Sequence, residues 1–143
     1  MKIIFDYNRT LFNPDTGSLY HGVLELLKRL SKRHELFLVS KNEVGRNEKF
    51  ENMSIKKYFI SYTFTDKKSR QIFLDLVGDS GEVFVVGDRV AGEIKIGNEL
   101  RFRTIWVRQG IFGLDNPKSE IEKPDFIVDC ISDVEKIILE HEK

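Results

Sequence analysis

The sequence predicts a three-layer α/β domain, Rossmann-like, built on a doubly wound parallel sheet. Two observations carry this. Short, almost wholly apolar runs recur along the chain, among them IIF at 3–5, LFLV at 36–39, VFVV at 83–86 and TIWV at 104–107. Segments with helical spacing of apolar residues stand between them. Strands without polar alternation are buried on both faces, and alternation of such strands with helices is the pattern of a parallel sheet covered on both sides.

The elements follow in order. The first strand spans Lys2 to Asp6. Tyr7 to Ser18 contains Asn, Pro, Asp and Gly, and reads as a loop or short hairpin. A helix is expected over Gly22 to Arg33, because Val23, Leu26, Leu27 and Leu30 make one apolar stripe. Leu36 to Val39 is the second strand, Val44 to Met53 a weak helix, and Tyr58 to Phe64 the third strand. Lys68 to Val77 forms a helix with Ile72, Phe73, Leu76 and Val77 inward. Val83 to Val86 is a strand and Gly92 to Leu100 a short helix. Thr104 to Val107 and Phe126 to Val128 complete the sheet, with a long loop over Gly110 to Lys123 between them. A last helix starts at Ser132, where Glu135 three residues on suggests a capping box.

The 143 residues suit one compact domain, read as 1–143, and are too few for two ordinary ones. With 41% hydrophobic residues the chain has material for a core, which excludes disorder as a class. Its 23 basic and 23 acidic residues cancel, so global charge gives no support for nucleic-acid binding. The basic cluster Lys28, Arg29, Lys32 and Arg33 is read as the wet face of the first helix. The single cysteine, Cys130, excludes an intramolecular disulfide and is read as a small near-core residue. No run approaches the ~20 apolar residues of a membrane span. The expected location is the cytoplasm, with no membrane partner.

Ligands of doubly wound sheets bind beyond the carboxyl ends of the strands. The first strand ends in Asp6, the second in Ser40, and VFVV runs into Gly87 and Asp88, with Glu93 shortly after. Lys67 and Lys68 sit where the third helix begins. This set suits phosphoryl transfer. Asp6 can attack phosphorus as a carboxylate nucleophile. Asp88 and Glu93 can hold Mg²⁺, a hard cation that takes oxygen ligands. Ser40 and a lysine can bind the transferring oxygens.

Four segments then resemble the haloacid dehalogenase (HAD) superfamily across nearly the whole chain: IIFDYNRTLFNP, LFLVSKNE, FTDKKSRQIF and VFVVGDRVAGEIKIGN, followed by TIWVRQG. The resemblance implies a HAD-like hydrolase core and a Mg²⁺-dependent phosphatase working through an aspartyl-phosphate on Asp6. It places Asp6, the carbonyl of Asn8, Asp88 and Glu93 at the metal, and Thr10, Ser40 and Lys41 at the substrate. One of Lys67 and Lys68 is the motif lysine, and Lys67 is the preferred reading. Two departures stand out. Members with phosphatase activity carry an Asp as general acid where this chain has Asn8, and an amide cannot deliver a proton at neutral pH. Arg9 takes a position where many members have Gly. The gaps from Asp6 to Ser40 and from Ser40 to Lys67 are too short for a cap domain. The site is therefore expected to be open, its substrate a small molecule or a macromolecule, unless a second copy covers it as a homo-oligomer.

The plainer readings are that Asp6 and Asp88 only cap turns, that Glu93, Lys67 and Lys68 are surface charges, and that Ser40 is a loop residue. The competing function is a catalytically weak HAD-like protein that binds a partner or, less in keeping with the charge, nucleic acid. A receiver-type phosphoacceptor ranks last, because there the acidic pair follows the first strand and the acceptor lies on a middle one.

Overall fold

The computed structural model describes residues 1–79 and 81–142. Six parallel strands form the central sheet: β1 (Lys2–Phe5), β4 (Glu35–Lys41), β5 (Ser61–Thr65), β6 (Val83–Gly87), β7 (Arg103–Val107) and β8 (Phe126–Val128). Their order is β5-β4-β1-β6-β7-β8. The chain moves outward from β1 through β4 to β5, then returns to the other side of β1 and continues through β6, β7 and β8. The winding therefore reverses beside β1, and the ends of β1 and β6 flank the resulting crevice. A two-stranded hairpin, β2 (Phe12–Asn13) and β3 (Ser18–Leu19), follows β1.

Among the described residues, five α-helices cover the two faces: α1 (Val23–Ser31), α2 (Arg46–Glu51), α3 (Arg70–Val77), α4 (Lys95–Glu99) and α5 (Val134–Glu140). The period-two geometry of the strands divides their side chains between two cores. Ile3, Phe5, Leu36, Leu38, Phe84 and Val86 meet Leu26, Leu27 and Leu30 of α1, Phe50 of α2 and Ile138 of α5. Ile4, Phe37, Val39 and Val85 meet Phe73 and Val77 of α3, with Ile96 of α4 against them. The doubly wound parallel sheet expected from the sequence is thus present.

Three local details differ from expectation. Ser54–Tyr58 is a 3₁₀ helix, and the strand begins only at Ser61. Tyr58 belongs to that turn, and pairing with β4 starts at Ile60, whose N–H donates to the Leu36 carbonyl at 2.8 Å. The expected helix from Gly92 is broken: Val90–Ile94 forms a wide π-type turn, with Gly92 at φ −109° and ψ −112°, before α4 begins. Ser132 does not start the last helix. Ile131–Asp133 is a 3₁₀ turn, and Glu135 is turned away from any capping box by a bidentate pair with Arg29 at 2.8–3.0 Å.

Candidate active site

Asp6 directly follows β1, and its N–H donates to the Val86 carbonyl at 3.0 Å, so it is tied to β6 at the crevice. The chain then turns sharply. The Tyr7 carbonyl accepts from the N–H groups of both Leu11 and Phe12 at 2.9 Å. Arg9 sits at φ 64°, a left-handed conformation costing a non-glycine residue about 1–2 kcal/mol. That is why glycine would be the easier residue here. The Tyr7 ring holds the turn from below, stacked on Phe12 at 5.3 Å and edge-on to Phe50 at 5.7 Å. Burial pushes the Tyr7 hydroxyl up to about 12, with Arg46 opposing. The turn brings Thr10 back over Asp6.

β6 ends in Gly87, and the reason is steric. A Cβ there would lie 2.2 Å from Cγ and Oε2 of Glu93. The missing side chain lets the wide turn fold Glu93 back into the crevice, where its Oε2 accepts from the Arg89 N–H at 2.9 Å. This geometry accounts for the break at Gly92, as π-type turns recur at functional sites. The Asp88 carbonyl accepts from the Trp106 indole N–H at 2.9 Å, which fixes the turn to β7.

Lys68 comes in from the start of α3, which Ser69 caps by accepting from the Ile72 N–H at 3.3 Å. The Lys68 ammonium donates to Asp6 Oδ1 at 2.8 Å and to Glu93 Oε1 at 2.9 Å. Thr10 Oγ1 lies 3.3 Å from Asp6 Oδ2 and 3.4 Å from Asp88 Oδ1. One hydroxyl proton thus faces two carboxylates and can serve one at a time.

Asp6, Asp88 and Glu93 are all buried, and each offers an oxygen within 4.8 Å of the others. Among the described residues, these three carboxylates face one ammonium, that of Lys68. Burial pushes the Asp88 carboxyl up to about 10, reinforced by the charges of Asp6 and Glu93 and opposed by Lys68. Burial likewise raises Glu93, with Lys68 acting against it. Burial works against the charge on Lys68, but the carboxylates of Asp6 and Glu93 outweigh it and hold the ammonium above its ordinary range. The excess negative charge and the all-oxygen donor set suit a hard divalent cation.

In metal-free buffer the raised Asp88 has a definite sign. Folding takes up a proton between the unfolded value of about 3.9 and the folded value of about 10. Stability from this group is complete below that window and falls as pH rises through it. Asp88→Asn, which needs no proton, should melt higher than the native protein at about pH 8, and the gap should close toward about pH 4. A gap independent of pH in thermal melts would remove this account of Asp88.

The crevice thus gathers Asp6, Thr10, Lys68, Asp88 and Glu93. Lys67 is exposed, so the preference for it over Lys68 is corrected: the helix is capped at Ser69, and only Lys68 turns inward. Asn8 is half-buried beside Asp6 in the turn, bridged through its backbone to Phe12. Ser40 is buried at the end of β4, with its hydroxyl donating to the Lys41 carbonyl at 3.2 Å. Lys41 is exposed on the wall of the adjoining cleft. Cys130 is exposed, not near-core, with its thiol 3.1 Å from Asp133 Oδ2. No helix among the described residues is long and apolar enough to cross a membrane.

Two contributing residues escaped the sequence reading. One is Trp106, which holds Asp88. The other is Gln109, whose amide donates to the carbonyls of Arg9 at 3.3 Å and Thr10 at 2.7 Å while its oxygen accepts from the Ile131 N–H at 3.3 Å. Both lie in TIWVRQG, and no spacing rule links that stretch to the turn after Asp6.

Residues 67–134 match the HAD-hydrolase-like family model. No curated protein matches the chain by sequence. Several solved structures share its fold. An uncharacterized protein from Listeria monocytogenes serotype 4b is 18% identical, with a TM-score of 0.79 over 98% of this chain and 97% of that one. A haloacid dehalogenase-like hydrolase from Burkholderia xenovorans is 15% identical, with a TM-score of 0.81 over 97% and 96%. D,D-heptose 1,7-bisphosphate phosphatase from B. bronchiseptica, complexed with magnesium and phosphate, is 13% identical, with a TM-score of 0.77 over 99% and 100%.

Proposed function

We propose that this chain, whose residues 67–134 match the HAD-hydrolase-like family model and whose fold is shared with a haloacid dehalogenase-like hydrolase, is a Mg²⁺-dependent phosphatase acting through an aspartyl-phosphate on Asp6. One observation carries this reading. The Asp6 carboxylate is buried at the crevice, bonded to the Lys68 ammonium at 2.8 Å and grouped with Asp88 and Glu93 within 4.8 Å. A carboxylate serving only as a cap would not need a buried ammonium and two further buried acids around it.

Asp6, Asp88 and the Asn8 carbonyl would hold the cation, with Glu93 acting directly or through water. The bound cation supplies charge neutralisation that lets a carboxylate approach a phosphate. The residues of the chain do the rest. Asp6 adds to phosphorus as the bond to the leaving oxygen breaks, and water then cleaves the acyl phosphate and returns the free carboxylate. Lys68 orients Asp6 and offsets charge on the transferring oxygens. Thr10 steadies the Asp6 oxygen facing Asp88. Glu93 holds Lys68 in place through its second bond. Asn8 can donate a hydrogen bond to the leaving oxygen but no proton, so an alkyl ester must take that proton from water and turns over more slowly than an aryl or acyl phosphate.

The alternative, a catalytically weak HAD-like protein that binds a partner, draws its support from Asn8 alone. A screen of small esters, acyl phosphates and phosphorylated macromolecules, with and without Mg²⁺, separates the two. Metal-dependent release of phosphate is expected. A protein inert on every ester, and unable to bind phosphate or Mg²⁺, would hand the lead to the binding module.

The metal has its own test. Relief of carboxylate repulsion should make millimolar Mg²⁺ raise the melting temperature of the native protein, by about 2.7 kcal/mol of stabilisation at a hundredfold excess over Kd. Asp88→Ala should respond far less. Equal shifts in scanning fluorimetry would place the cation elsewhere.

A further inference from the structure

We propose that the open cleft beside the carboxylate cluster binds a second anionic group of the substrate, so that the protein acts on small phosphate esters whose leaving group carries another phosphate. This rests on the phosphatase reading. The cleft, about 610 Å³, runs between the start of α3 and the segment from Arg89 to Glu99. Its walls carry Lys41, Lys67, Arg70, Arg89 and Lys95, and Lys68 and Glu93 are common to it and to the carboxylate cluster. Against these cations stand Asp66 and Glu99, because Glu93 is already taken by Lys68 and by the Arg89 N–H.

What sets these cations apart is their concentration on the walls of one cleft, since lysines elsewhere without an ion pair among the described residues, such as Lys32, Lys56 and Lys118, are scattered along the chain. Arg29, Arg33, Arg46, Arg103 and Lys123 are each paired with a carboxylate. Among the described residues, none of the five cleft cations makes an ion pair. Arg89 is instead held with its guanidinium over the Phe112 ring at 4.6 Å. In a chain with no net charge, a cleft that concentrates unneutralised cations beside a site with surplus negative charge separates two tasks. The carboxylate end suits a cation and the phosphoryl group it accompanies, and the basic end suits an anion.

Lys68 stands at the junction, so an ester seated on Asp6 would direct its leaving group toward the basic wall. When the ester bond breaks, the second phosphate departs intact on the product alcohol; over the whole hydrolysis, water supplies one proton to that alcohol and its remaining hydroxyl to the released phosphate. The volume suits a small molecule. Among the described residues the cleft lining has no aromatic ring on which bases of a single strand could stack, so a nucleic acid is the poorer fit.

The test compares kcat/KM for a sugar monophosphate and the corresponding sugar bisphosphate, in Mg²⁺, for native protein and for Arg70→Glu with Lys95→Glu. Native protein should prefer the bisphosphate by about tenfold or more, mainly through KM. The double variant should lose that preference while its monophosphate kcat/KM changes much less. Arg70→Gln with Lys95→Gln serves the same comparison if the charge reversal does not fold. Equal kcat/KM for both esters in native protein and variants would overturn the inference and leave the phosphatase reading standing. If no ester is turned over, the phosphatase reading falls separately, and calorimetry in metal-free buffer decides the cleft. Inorganic tripolyphosphate should then bind native protein at least about tenfold tighter than orthophosphate, and the double variant should not discriminate. Failure of native protein to discriminate would overturn the inference.

Discussion

Asp6→Asn should leave a folded protein whose phosphatase turnover is lower by about three orders of magnitude or more, because an amide cannot form the acyl phosphate. The substitution is nearly isosteric and removes one of three clustered carboxylates, so the variant should melt no lower than native protein in metal-free buffer. Its partner experiment is Asn8→Asp. That change puts a proton donor next to Asp6 with little change in size. General acid–base help is typically worth 10²–10⁴-fold, or about 3–5 kcal/mol of barrier. The gain should be large with alkyl phosphates, whose leaving oxygens need a proton, and small with aryl or acyl phosphates. The added charge also raises the repulsion that a cation must offset, so the Mg²⁺ requirement should steepen. Adding Asp6→Asn to Asn8→Asp should abolish the gain. Equal gains across all ester classes in steady-state assays would mean that Asn8 limits something other than leaving-group protonation.

Lys68→Met should be the most destabilising change at the site. Among the described residues, Lys68 is the one ammonium that bonds the buried carboxylates of Asp6 and Glu93. Removing one partner of a buried ion pair leaves an uncompensated charge, typically at a loss of 3–5 kcal/mol. For a chain of this length that is on the order of 10 °C in melting temperature. The loss should shrink in Lys68→Met with Asp6→Asn and Glu93→Gln, where the charges left behind are gone. Mg²⁺ should also recover part of it. Urea unfolding at neutral pH checks both statements. A single variant as stable as native protein would mean that the carboxylates take up protons at little expense and that Lys68 is not what holds them.

The parallel sheet was legible because strands buried on both faces announce themselves as apolar runs, and VFVV and LFLV leave few alternatives. Asp6 and Asp88 were legible because they terminate such runs, which places them at the carboxyl edge whatever the loops do. Lys68 was harder. Two adjacent lysines differ by about 100° around a helix start, and the deciding residue is Ser69, whose capping bond to Ile72 sets where α3 begins. Glu93 was read as a metal-site acid, but its path was read as a plain helix. The steric fit of Gly87 against Glu93 is a contact between backbone and side chain that periodicity does not encode. Trp106 and Gln109 act across more than fifteen residues through hydrogen bonds to backbone carbonyls. Cys130 was placed inside on composition alone, although its neighbours Asp129, Ser132 and Asp133 mark a turn at the surface.

Gln109 has a bearing on how proteins of this kind diverge. It stands at the head of the stretch from Gly110 to Lys123, and its amide clasps the backbone behind Asp6 before that stretch begins. Gly110 itself packs on Arg9, but among the described residues none from 111 to 123 makes a hydrogen bond to the turn after Asp6, so changes there should leave the clasp and the nucleophile where they are. New ligand preferences can therefore be tried out in that stretch, in nature or in the laboratory, without recalibrating the chemistry each time.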